Sequence, residues 1–91
     1  MNYLIDTHAH LDFPELFSRL NVIIKNAQTN NVLKIITIST NLDKIQKIIN
    51  ISNDNDNIYF TVGVHPNEVL KDKNYINYNL ISDISKNLKC V

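Results

Sequence analysis

The chain holds three histidines, and two of them, His8 and His10, are one residue apart. They follow a short apolar run, Tyr3-Leu4-Ile5, inside the stretch Ile5-Asp6-Thr7-His8-Ala9-His10-Leu11-Asp12. Successive side chains on a strand point to opposite faces, so His8 and His10 project from the same side. Two parallel imidazoles at a strand end are a natural start for a divalent-metal site. The bland alternative is a pair of satisfied polar side chains at a strand mouth. A catalytic metal takes three or more protein ligands and keeps a position open, so a pair alone is incomplete.

Asp6 and Asp12 flank the pair. On a regular strand Asp6 shares the histidine face and could orient a ligand from behind. Equally, it could bond a backbone amide at a strand end. Asp12 reads more simply as a loop or turn aspartate. The third histidine stands in Gly63-Val64-His65-Pro66. The glycine would allow a close backbone approach or an unusual dihedral. Pro66 holds His65 extended. At a strand end, His65 could contact a substrate phosphate, join a metal shell, or be a hydrogen-bonded core residue. Glu68 reads as a first-turn helix carboxylate favoured by the helix dipole.

The elements that must position these residues alternate. A buried strand is expected near 3–8, a helix near 16–29 and a nearly continuous β-branched strand over 32–39. A helix capped by Asn41 follows, carrying Leu42, Ile45, Ile48, Ile49 and Ser52 on one stripe. Asn53–Asn57 is a polar loop and 58–64 a third strand. A third helix is expected within 72–87, with Leu80, Ile81, Ile84 and Leu88 inward. Leu88–Val91 looks like the beginning of a fourth strand. A β-α-β-α-β-α-β order predicts a parallel sheet with right-handed crossovers. The continuous apolar character of 32–39 predicts a strand covered on both faces. His8, His10, Thr40-Asn41 and His65 all follow strand ends, where sites assemble in α/β folds.

Bulk properties narrow the function classes. With 91 residues there is room for one small domain. Nine basic against nine acidic residues leave no net charge, hence no basic footprint for coating nucleic acid. A neutral enzyme could still act on phosphodiesters if metal ions carried the local charge. The single cysteine, Cys90, excludes an internal disulfide and suits a reducing, cytoplasmic setting; it reads as a small buried strand residue. No signal peptide or membrane span is visible, and neither membrane association nor a stable protein partner is expected. With Gly63 as the single glycine, no phosphate-cradling glycine loop can form, and turns fall to Asn and Asp. Ser39-Thr40, Ser82 and Ser85 lie in no nucleophile-elbow context. The Tyr75/Tyr78 pair reads as surface or core packing rather than a base-stacking platform.

Asp6-Thr7-His8-Ala9-His10-Leu11-Asp12 and Gly63-Val64-His65-Pro66, in this order with two α-β units between them, resemble the amino-terminal part of the TatD family of metal-dependent deoxyribonucleases. These are TIM-barrel members of the amidohydrolase-like metal hydrolases. The resemblance spans essentially the whole chain. At Asn67 it departs from the family, which often has another histidine there. It implies an α/β fold that is part of a (β/α)8 barrel, about three βα units plus the start of a fourth strand, with residues 1–91 as the amino-terminal part of an incomplete domain. It implies that His8 and His10 bind one divalent ion (Mg, Mn or Zn), with His65 and Asp6 as substrate-side or supporting residues. DNA would be the substrate of the full-length family, cleaved by phosphodiester hydrolysis. The family's further ligands are a glutamate on the next strand, two later histidines and a late aspartate. None of these four falls within residues 1–91, and Glu68 does not match the glutamate. The expectation is therefore a family member whose 91 residues alone lack nuclease activity. The alternatives are a non-catalytic remnant and a small α/β module that binds metal or a partner.

Overall fold

A computed structural model describes residues 2–69 and 76–91. Three parallel strands, β1 (Leu4–Ala9), β2 (Val32–Thr37) and β3 (Ile58–Phe60), form one sheet in the order β1-β2-β3. The helices are α1 (Pro14–Phe17), α2 (Leu20–Thr29), α3 (Ile45–Asn53) and α4 (Tyr78–Ile84). Short 3-10 turns at Leu42–Lys44 and Pro66–Glu68 follow β2 and β3. A parallel bridge pairs Phe60 with Cys90, and the amide of Phe60 donates to the carbonyl of Lys89. A fourth strand therefore begins beside β3, as the final apolar residues suggest.

Local chemistry explains most boundaries. Pro14 opens α1, where its missing N–H is no loss. The single helix expected over 16–29 is in fact two, broken at Ser18-Arg19, and Arg19 has non-helical dihedrals. Asn41 accepts the amide of Lys44 at 3.1 Å and caps the turn leading into α3. Asn77 likewise accepts from Leu80 at the start of α4. Asn31 takes φ 63° between α2 and β2, the left-handed conformation usually given to glycine. In this glycine-poor chain Asn does fill that role.

Two apolar clusters hold the layers together. Leu11, Ile35, Ile51 and Ile58 pack with Leu20, Ile23, Ile24 and Ala27 of α2. Ile45, Ile48 and Phe60 pack with Ile84 and Cys90. Ser52, fully buried on α3, donates to the carbonyl of Ile58 at 2.7 Å and ties the helix to β3. Burial raises the Cys90 thiol pKa, outweighing a backbone hydrogen bond at Val62 that lowers it. Cys90 is half-buried at its bridge to Phe60, rather than the fully buried strand residue that the sequence suggests.

Several expectations fail at the edges of the sheet. β1 is not buried: Leu4 is 60 % and Ile5 56 % exposed, because β2 is its sole neighbour among the described strands. The cover expected on both faces of β2 fails at its beginning, where Leu33 and Lys34 are exposed. The third strand ends at Phe60 rather than 64. Leu80 and Leu88 are exposed, not inward, and Leu88 lies past the end of α4. Of the helix expected over 72–87, the part at 72–75, with Tyr75, lies outside the described residues. Tyr78 is exposed.

The left-handed residue gives a direct check. Asn31→Ala should destabilise the fold by about 1–2 kcal/mol, whereas Asn31→Gly should lose little or nothing. Urea denaturation of both variants measures this.

Candidate metal centre

The candidate site grows from the carboxyl ends of the strands. β1 runs into a tight turn in which the amide of Phe13 donates to the carbonyl of His10 at 3.1 Å. The end of β1 is pinned to β2 twice. Ile38 donates its amide to the carbonyl of Ala9, and Leu11 donates its amide to the hydroxyl of Thr37 at 3.1 Å. Leu11 and Thr37 are both buried, so this bond is shielded from water. The result is a fixed platform carrying His8 and His10.

The two imidazoles meet as the alternation rule requires. Their ring centroids lie 5.1 Å apart in an edge-to-face arrangement. The ring of Phe13 stacks on His10 at 4.6 Å, with 14° between the planes. Two imidazoles sharing one tetrahedral ion have ring centres about 5 Å apart, given metal–nitrogen bonds near 2 Å. The spacing of this pair therefore fits a shared ion. His10 Nδ1 is buried without a hydrogen-bond partner. An orphaned imidazole nitrogen beside a second imidazole is consistent with a site built for a group not made of protein.

The flanking carboxylates separate clearly. Asp6 Oδ1 accepts the backbone amide of His8 at 3.0 Å, the strand-end role that needs no metal. It supports the backbone of the pair rather than a ring. Asp12 lies in the turn, as expected, yet it is only 2 % exposed and its Oδ1 has no partner. Such burial is unusual for a turn aspartate.

His65 lies on the same rim, after β3. Its amide donates to the carbonyl of Thr40 at 2.7 Å, and its Nδ1 accepts the amide of Asn67 at 3.1 Å. Among the described residues no hydrogen bond or ring contact joins His65 to His8 or His10. No group of three or more His, Cys, Asp or Glu side chains placed to hold a metal occurs among them either. Glu68 sits in the 3-10 turn after His65, an acidic residue in a first turn. The expectation for Gly63 needs correction. Its φ is not positive, and a Cβ there would meet nothing within 4 Å. The backbone at this position makes no close approach, so glycine is not demanded by the fold.

Sequence reasoning missed the residues that organise this rim, Thr37 and Ser39. Ser39 Oγ donates to the carbonyl of Gly63 at 2.9 Å, and Thr37 accepts the amide of Thr61 on its carbonyl. A signal was available: both are polar, alternate on one face, and end an otherwise apolar strand. A hollow lined by Gln28, Val32, Asp54 and Asn57 lies at the amino ends of β2 and β3, away from the histidines.

Comparison with known proteins bears on the family and the fold. The family model described as TatD related DNase matches residues 5–91. The chain belongs to the TatD-related DNase family. An uncharacterized metal-dependent hydrolase of Buchnera aphidicola subsp. Baizongia pistaciae is 28% identical over 85 residues, covering 82% of this chain and 32% of the relative. A second, from the subspecies Acyrthosiphon pisum, is 29% identical over 94 aligned positions, covering 98% of this chain and 35% of the relative. The crystal structure of YjjV, a TatD homolog from Escherichia coli K12, superposes with a TM-score of 0.71 at 28% identity. That match covers 76% of this chain and 27% of the other. The chain thus spans about a third of the length of the curated relatives it matches. The fold is part of a TatD-type TIM barrel, as the strand and helix order implies. No described helix is long and apolar enough to cross a membrane.

Two substitutions test the platform. Thr37→Val should destabilise the chain by about 1–3 kcal/mol, because the Leu11 amide loses a buried acceptor. Gly63→Ala should be neutral or stabilising by up to about 1 kcal/mol. Thermal unfolding followed by circular dichroism reads both.

Proposed function

We propose that residues 1–91 supply the amino-terminal part of a TatD-type hydrolase domain and that His8 and His10 hold one divalent ion, Mg, Mn or Zn. The observation that carries this reading is the imidazole pair at the end of β1, with centroids 5.1 Å apart and a buried, unpaired Nδ1 on His10. Family membership and the relatives' description as metal-dependent hydrolases support it. The reaction is phosphodiester hydrolysis with DNA as substrate, in a reducing, cytoplasmic setting suited to the free thiol of Cys90. Such an ion supplies Lewis acidity to a phosphoryl oxygen.

The remaining rim residues take supporting roles. A neutral imidazole has one donor and one acceptor nitrogen. Nδ1 of His65 accepts the Asn67 amide, so the proton of the neutral ring resides on Nε2. An Nε2–H donor suits a phosphate oxygen and cannot ligate a metal. His65 is therefore assigned to the substrate phosphate rather than the ion. Asp6 holds the backbone of His8 and so fixes the direction of that ligand.

A second reading, a non-catalytic module that binds metal or a partner, draws on the ligand tally. The described residues bring two imidazoles together, whereas hydrolytic centres use three or more protein ligands. On the first reading, the 91 residues bind metal without turning over DNA.

Zinc or manganese titration of the chain by isothermal calorimetry tests the assignment. Replacing His8 and His10 together by Ala should weaken binding by well over about tenfold. Unchanged affinity in the double variant would remove the pair from the site. His65→Ala should leave metal affinity within about twofold while weakening capture of a phosphodiester by any active assembly containing the chain.

A further inference from the structure

The two faces of the sheet differ in cover. Ile35, Ile58 and Phe60 are buried on the side where α2 and α3 pack. Alternation puts Lys34, Ile36 and Tyr59 on the other side, where the register pairs Ile36 with Tyr59. None of these three belongs to either apolar cluster; Ile36 and Tyr59 are half-buried and Lys34 is exposed. β1 extends the uncovered region. Leu4 and Ile5, successive residues of this strand, are both more than half exposed, so neither of its faces is covered. With β2 as its sole neighbour among the described strands, β1 also presents a free edge of backbone groups open to a further strand.

Two cations meet on the uncovered side. Lys34 and Lys89 set their ammonium groups over the ring of Tyr59, 5.3 and 4.6 Å from its centroid. Lys89 also donates to the carbonyls of Asn55 and Asp56. Among the described residues neither ammonium meets a carboxylate. Whatever covers Lys34 must bring one, because a buried unpaired ammonium is costly. A second copy of the chain fits this poorly, since it adds two more ammonium groups to the same interface. The relatives point to another occupant. The chain spans 32% and 35% of the curated relatives and 27% of YjjV, on which it superposes. A (β/α)8 barrel sets its strands in a ring, so its first strand has a neighbour on both sides.

We propose that the free edge of β1 and the Ile36–Tyr59 face capture, without a covalent link, a polypeptide made of the later βα units of a TatD-type barrel. The occupant lays a parallel apolar strand along β1 and brings a carboxylate to Lys34. This rests on the reading of the chain as an amino-terminal part of such a domain, and not on the metal assignment.

The test co-expresses the 91-residue chain with the part of YjjV that follows the match. Analytical ultracentrifugation should show a 1:1 complex, and hydrogen exchange at the outward amides of β1 should slow at least about tenfold on capture. Leu4→Lys combined with Ile5→Lys changes positions exposed in the free chain. The double variant should therefore keep the free chain's thermal unfolding while weakening capture at least about tenfold. Lys34→Glu should weaken capture to a similar degree. Absence of a complex in cells that make both polypeptides would overturn the proposal. So would a dimer of the chain alone that the Leu4 and Ile5 double variant dissociates, since a second copy would then be the occupant. A complex that forms equally well with the double variant keeps the domain reading and removes this docking surface. Zinc titration of the free chain is read separately: zinc bound without capture leaves the metal reading standing and this proposal overturned, and capture without zinc binding does the reverse.

Discussion

The bond from the Leu11 amide to the buried hydroxyl of Thr37 is the constraint on which the histidine platform depends. It fastens the turn after β1 to the end of β2 at the point where the chain leaves the sheet. The same Thr37 accepts the amide of Thr61 on its carbonyl. One residue therefore links the rims of all three strands. Two residues on, Ser39 bonds the carbonyl of Gly63, and the carbonyl of Thr40 receives the amide of His65. The end of β2 acts as a spine that sets the height of the first histidine pair against the third histidine. Buried hydrogen bonds of this kind contribute modestly to stability when made but are expensive to lose, which makes them effective at fixing geometry.

The packing beneath that spine is ordinary in its chemistry and specific in its placement. Leu11 belongs at once to the histidine turn and to the core, where it meets Ile35, Ile51 and Ile58. Movement of the turn would open a cavity in the core, so apolar packing and the polar rim reinforce each other. The open flank lies on the other side of β1, where Leu4 and Ile5 are exposed. A chain that spans about a third of its relatives' length forms three of the strands that a closed barrel arranges in a ring.

Much of this was legible in the residues. The β-α alternation, the Asn41 cap, the entry at Pro14 and the start of a fourth strand at Cys90 follow from local spacing and propensity. The convergence of His8 and His10 follows from the two-residue period of a strand. The break between α1 and α2 did not, because the apolar stripe runs through Ser18-Arg19 without a proline or glycine to mark it. The exposure of β1 could not be read from Tyr3-Leu4-Ile5 either. An apolar run records what a strand can bury, not which neighbour covers it.

The site divides along the same line. Sequence by itself determined which groups are available: a histidine pair with parallel aim, a histidine locked extended before Pro66, and the family to which their order belongs. Tertiary structure alone decided what each flanking group does. Asp6 turned to a backbone amide, Gly63 met no steric demand, and Asp12 was drawn inside with an unpaired oxygen. The physical reason is range. The direction of a side chain is set by the backbone within one or two residues, whereas burial and hydrogen-bond partners are set by strands 20 or more positions away, such as that of Thr37, 26 residues after Leu11.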